Sequence, residues 1–201
     1  MTVVDATSLS THDRVVAGAL RCLAEQGLRR TTVDDVAAAA GISRATLYRA
    51  FPGGRDTILA AVVDTERARL LEALATAVGH APDLRAALVE GLWTAASWLT
   101  NHAVLQRLMF DEPAVVLTHV EFEQMDHSLA AASAAVAPLL SRFLAPVAAA
   151  RAGEWAARIV ISYLLFPSDG ADLCVRGEAE ALVGRHVLPG VVALAADEVR
   201  Q

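Results

Sequence analysis

Thr32-Val33-Asp34-Asp35-Val36-Ala37-Ala38-Ala39-Ala40-Gly41-Ile42-Ser43-Arg44-Ala45-Thr46-Leu47-Tyr48-Arg49 reads as a helix, a tight turn and a second helix. Thr31 or Thr32 opens the first, with Asp34 and Asp35 near its positive end. Gly41 stops it, because glycine enters the left-handed conformation that ends helices. Ser43 caps the next helix, which runs to Arg49 or Ala50. Val33, Val36, Ala37, Ile42 and Leu47 would hold the two helices at a steep angle, and the small residues at 37–40 allow close approach. Leu47 and Phe51 belong to the core. Ser43, Arg44, Ala45, Thr46, Tyr48 and Arg49 are left on the start and outer face. That set suits the major groove of double-stranded DNA. Arginine can bond guanine bidentately, Ala and Thr tolerate thymine methyls, and Tyr and Thr reach phosphates.

The flanks extend the pattern. Ser10, with Asp13 three residues on, has the form of a capping box, and Val16, Leu20 and Leu23 recur on one helical face up to Gly27. Downstream, Phe51-Pro52-Gly53-Gly54 is a turn, followed by a long helix over 55–78 that ends at Gly79. Further helices are expected at 83–101, near 103–110 before a break at Pro113, as two or more over 115–148, and at about 152–167 and 177–198. The fold class is therefore all-α, with about nine helices. A three-helix head (1–55) precedes a larger helical body (56–201).

Composition agrees with this. In 201 residues 55% are apolar, which excludes disorder, yet only 5% are aromatic, so the core must be Ala, Val and Leu. Every basic residue is Arg, and the net charge of −6 taken whole argues against a nucleic-acid binder. The distribution is uneven: residues 1–55 hold seven Arg against five acids, a net of +2, and the remainder ten against eighteen, a net of −8. A mildly basic head on an acidic body suits a small DNA-binding module carried by a larger domain. Cys22 and Cys174 are isolated and form no disulfide or zinc framework, so a reducing cytoplasm is expected. The start Met1-Thr2-Val3-Val4-Asp5 lacks the features of a signal peptide. Residues 128–150 approach transmembrane length with one charge, Arg142. Their serines, Pro138 and Pro146 make them a buried helical region interrupted near a proline, and no membrane partner is expected.

The sequence resembles the TetR family of transcriptional regulators. The resemblance rests on Gly27-Leu28-Arg29-Arg30-Thr31-Thr32-Val33, Val36-Ala37-Ala38-Ala39-Ala40-Gly41-Ile42-Ser43, Leu47-Tyr48-Arg49-Ala50-Phe51 and Gly53-Gly54-Arg55-Asp56-Thr57-Ile58-Leu59. It covers about residues 10–60; the remainder is similar in architecture only. It implies that Thr32 touches a phosphate, that Ser43, Arg44, Ala45, Thr46 and Arg49 face the groove, and that Tyr48 lies on the DNA backbone. Arg55 stands where the family commonly has a phosphate-gripping Lys, after a turn one residue longer than in many members. Arg29 and Arg30 read as a solvated pair.

The resemblance also implies a ligand cavity in the body. Trp93, Trp98, His102, Met109, Phe110, Phe122 and Met125 are candidates to line it, each with ordinary core packing as the plainer alternative. Two C-terminal helices would form a four-helix bundle with a second copy, through Trp155, Ile159 and Phe166 on one and Leu182, Val187 and Val191 on the other. Pro189-Gly190 should kink the latter. The function implied is a homodimeric one-component regulator, a repressor on a pseudo-palindromic operator, released by a small apolar effector. No cofactor is expected. His119, Glu123 and His127 share a helical stripe that could bind zinc, but read more simply as a solvent-facing helix, so no metal is expected. Two rivals stay open. One is a TetR-like ligand-binding or interaction module without DNA binding. The other is a helical enzyme, disfavoured because the chain has no glycine-rich phosphate loop, nucleophile elbow, HExxH or paired-cysteine motif.

Overall fold

The computed structural model describes residues 9–114, 122–167 and 171–199, and among these every regular element is helical. Contacts divide the chain into two compact units, Met1–Ala68 with Ala103–Val116, and Arg69–His102 with Leu117–Gln201. This is a division by packing, whereas the boundary at residue 55 read from sequence is one of roles.

The first unit holds α1 (Thr11–Gln26), α2 (Val33–Ala40), α3 (Arg44–Ala50), the first part of α4 (Arg55–Gly79) and α6 (Ala103–Asp111). Val16 and Leu23 of α1, Val36 of α2, Leu47 of α3, Phe51 at the end of α3 and Ile58 of α4 close one core, with Val104 from α6 added to it. Gly18 sets how close α1 and α2 come. A Cβ there would lie 3.0 Å from the Ala40 amide nitrogen and 3.1 Å from the Val36 carbonyl oxygen, so the backbone of α2 occupies the space of a side chain. Cys22 is in the same core, where burial, reinforced by the charges of Asp35 and Glu25, pushes its thiol pKa up. It is a protonated packing residue at neutral pH.

The second unit holds the rest of α4, α5 (Leu84–Thr100), α7 (Phe122–Leu140), α8 (Pro146–Leu165), α9 (Arg176–Leu182) and α10 (Leu188–Val199). Its alanine bias has a packing cause. Ala148, Ala149 and Ala152 are fully buried, a Cβ on Gly153 would stand 3.3 Å from the Ser133 carbonyl, and the Ser133 hydroxyl donates to the Ala150 carbonyl at 2.7 Å. Small residues thus let α7 and α8 lie nearly backbone to backbone.

Three prolines shape these helices in different ways. Pro138 stays inside α7, and the interruption falls over 141–145. Pro146 opens α8 six residues earlier than expected, because a first-turn proline lacks only an N–H that has no intrahelical partner. Pro189 stands at the second position of α10. Its ring crowds the carbonyl four residues back, and the chain widens into a π-helical turn over Val183–Val187 before continuing as α10. Arg142, the lone charge of the alanine-rich segment, donates to the carbonyls of Val78, Gly79 and Ala81 and so satisfies the end of α4. Among the described residues no helix is long and apolar enough to cross a membrane.

Candidate nucleic-acid interface

The frame of the interface is set by caps. Thr32 accepts from the Asp35 amide at 3.2 Å, while the Asp35 carboxylate accepts from the Thr32 amide at 3.0 Å and its hydroxyl at 2.6 Å. These bonds, the hydroxyl's first, hold the Asp35 carboxyl below the ordinary carboxylate range. At the other end of α2, Gly41 sits at φ 65° and ψ 38°. Its amide donates to Ala38 and the Ile42 amide to Ala37, each at 3.0 Å, which is a Schellman ending. Arg14 donates to the carbonyls of Ala40 and Gly41, and Arg21 to that of Ala39. Ser43 then caps α3 by accepting from the Thr46 amide at 3.1 Å.

A pH prediction follows from Asp35. Because its folded pKa is depressed, the stability it contributes is present above the unfolded pKa and is lost as pH falls through the folded value. The Asp35 contribution to thermal stability should therefore be level through neutral pH and fall only at acid pH. An Asp35→Asn variant, which keeps an acceptor for Thr32, should lack that component of the acid drop.

On this frame α3 turns Ser43, Arg44, Ala45, Tyr48 and Arg49 to solvent, while Leu47 is fully buried and Thr46 half-buried, its hydroxyl 2.9 Å from that of Ser43. Arg44 lies over the Tyr48 ring, 5.6 Å from its centroid, and its Nη1 donates to Asp34 Oδ2 at 2.9 Å. The Tyr48 ring rests against Gly54, which takes φ 60°, so this turn needs glycine for conformation and for space. Arg55, at the start of α4, donates to the Leu28 carbonyl and remains exposed. Thr32 is exposed, with its hydroxyl proton given to Asp35.

One contributor was invisible to sequence reasoning. Glu112, just after α6 and only 7% exposed, accepts from the Arg29 amide at 2.9 Å and lies 3.5 Å from Arg29 Nε. It fills the space a side chain on Gly27 would take. A carboxylate 83 residues away in sequence thus clamps the turn into α2. The Arg29 side chain is otherwise largely solvated.

In the second unit, Trp93 donates its indole N–H to the Cys174 carbonyl at 3.0 Å and carries the Arg176 guanidinium over its ring, a structural anchorage. Trp98 and His102 come together, ring centroids 4.6 Å apart. Met109 and Phe110 belong to α6 of the first unit, where Phe110 is 87% exposed. The side chains of Phe122 and Met125 lie outside the described residues, as does the stripe of His119, Glu123 and His127. Of the expected dimer face, Trp155 and Phe166 are exposed while Ile159 and Leu182 are half-buried. Val187 and Val191 correct the expectation. They are 1% and 0% exposed within the single chain, because they point into the body's own core. On α10 Val192 is exposed, and Trp155 lies over Gly190 beside it.

Known proteins give a consistent comparison. Residues 15–62, spanning α1 to the start of α4, match the model for bacterial regulatory proteins of the tetR family. An HTH-type transcriptional regulator of Mycobacterium tuberculosis (strain H37Rv) is 39% identical over 92 residues, 38% of this chain and 46% of that protein. The chain thus spans about half the length of the curated relatives it matches at this identity. Another from the same organism is 26% identical over 184 residues, 88% of this chain and 83% of that one. The fold is shared with the TetR family repressor AlkX from Dietzia sp. strain DQ12-45-1b, implicated in biodegradation of n-alkanes, with TM-score 0.68, 22% identity and coverage of 90% and 98%. It is shared too with the fatty acid degradation regulator FadR from Bacillus halodurans, with TM-score 0.57, 16% identity and coverage of 90% and 97%. The curated relatives it matches are HTH-type transcriptional regulators. Residues 15–62 are thus similar to the N-terminal segment of bacterial regulatory proteins of the tetR family, and the chain as a whole shares the fold of the TetR family repressor AlkX.

Proposed function

We propose that the protein is a homodimeric repressor that reads a pseudo-palindromic DNA operator through α3 and lets go when a small apolar effector binds its body. The observation that carries this is the solvent face of α3: Arg44, Tyr48 and Arg49 project from a rigidly capped helix inside the segment that matches the family. Residues 1–55 serve as the DNA-binding domain and 56–201 as the effector-binding and dimerisation domain, and acting on DNA places the protein in the cytoplasm. A head of net charge +2 neutralises few phosphates, so two heads on two half-sites are needed for tight binding. Trp155 and Ile159 on α8 and Phe166 at its end, with exposed Val192 on α10, supply an apolar face for the second copy. The paired rings of Trp98 and His102 are the first place to look for the effector. To release DNA, it must bind the released arrangement of α4 and the head better than the DNA-bound one.

The test is a salt titration of duplex binding. Log affinity should fall linearly with log salt, and Arg55→Ala should weaken all sequences alike and lower the slope by about 1. For that the Arg55 side chain need only swing from the Leu28 carbonyl to a phosphate. The rival, a ligand-binding or interaction module of the same fold, draws support from the net charge of −6 and from a carboxylate beside Arg44. No binding to duplex at low salt would favour it.

A further inference from the structure

The geometry points to Asp34 as a specificity-determining residue: its carboxylate orients Arg44 for one base pair and penalises every contact in which Arg44 turns elsewhere. This rests on the DNA-reading role of α3 given above. Asp34 stands in the first turn of α2 and reaches across to α3, where Oδ2 accepts from Arg44 Nη1 at 2.9 Å. The Tyr48 ring supports the same guanidinium from α3 itself, 5.6 Å away. Two restraints from two helices fix the plane of a side chain that would otherwise sample many rotamers. With Nη1 committed, the Nε–Nη2 edge is left for a bidentate match, the fork geometry that suits guanine O6 and N7.

Stability does not explain the pair. Both side chains are more than half exposed, 63% for Arg44 and 61% for Asp34, and such ion pairs contribute little in water. At a DNA surface the balance changes. Asp34 lies two residues after Thr32, at the end of α2 expected to approach the phosphates. A carboxylate there is repelled by them, the more so as water is excluded. On the correct base pair Arg44 stays against Asp34 and the charge remains compensated. On other sequences Arg44 gains by swinging to a phosphate, which strands Asp34 among like charges. The residue therefore acts by difference, lowering non-specific affinity more than specific affinity.

The experiment uses the full chain. Random duplex DNA is selected on the wild type, Arg44→Ala, Asp34→Ala and Asp34→Asn, with thermal melts to confirm folding. Arg44→Ala should erase one base-pair preference in each half-site. Asp34→Ala should flatten that same position by about tenfold in preference, leave the other positions intact and raise affinity for non-operator duplex. Asp34→Asn, which keeps an acceptor without the charge, should fall between. The proposal is overturned if Asp34→Ala keeps the preference at that position, if all positions fade together, or if operator affinity rises with every preference retained, which would make Asp34 a mask. Should the wild type enrich no site, the DNA-reading role fails and this proposal with it. An enriched site left unchanged by Asp34→Ala sinks the proposal alone.

Discussion

Arg44→Ala should weaken operator binding by about 1–3 kcal/mol, roughly five- to 150-fold, while leaving the thermal melt unchanged. The two halves of this expectation have separate physical grounds. Arg44 is the first residue of α3, and the cap of that helix runs through Ser43 and the Thr46 amide without its side chain. Removing the side chain takes away an exposed ion pair and an exposed contact with Tyr48, neither of which holds the core. A positive charge at a helix N-terminus also opposes the dipole, so its loss costs the helix nothing. The deficit should therefore be one of recognition: large on the selected site, small on scrambled duplex. Fluorescence anisotropy on the two duplexes measures it. Equal losses on both would make Arg44 a phosphate contact.

Gly18→Val acts on the frame in place of the face. The missing Cβ of Gly18 would stand 3.0–3.1 Å from backbone atoms of Ala40 and Val36, and backbone cannot give way as the end of a side chain can. Valine must push α2 off α1, with an overpacking cost of about 1–3 kcal/mol. Since α3 hangs from α2 through the Gly41 turn, the displacement carries the α3 face with it. Operator affinity should fall together with the stability of the first unit, read by urea melts. Gly18→Ala is the milder case, because better helix propensity offsets about 1 kcal/mol of the same clash. An unchanged melt for valine would mean that α1 and α2 separate freely, contrary to the packing described.

Sequence reasoning reached what is local. Ser10, Thr32, Gly41 and Ser43 cap or stop their helices within three residues of themselves, and the structure has each in that role. Val16, Leu23, Val36, Ala37 and Leu47 are buried as helical spacing predicts, whereas Leu20 and Val33 are half-buried. What escaped depends on partners far along the chain. Nothing near Glu112 announces that it clamps the Arg29 amide, and nothing near Gly18 says that a second helix will cross it. Val187 and Val191 show the same limit: apolar residues at helical spacing do not reveal whether they face their own core or another copy. Prolines 138 and 146 look alike in sequence, yet one sits inside a helix and the other starts one. On the exposed face of α3 the arginine was legible, whereas its carboxylate partner ten residues earlier emerged only with the α2–α3 crossing.

The measurement to make first is selection of random duplex DNA on the purified, ligand-free protein at low salt, read out by sequencing. Two α3 helices on one symmetric dimer should enrich a two-fold-symmetric site, its half-sites about 10–10.5 base pairs apart or a multiple of that. A folded protein that enriches no sequence would contradict the assignment of α3 as a DNA-reading helix.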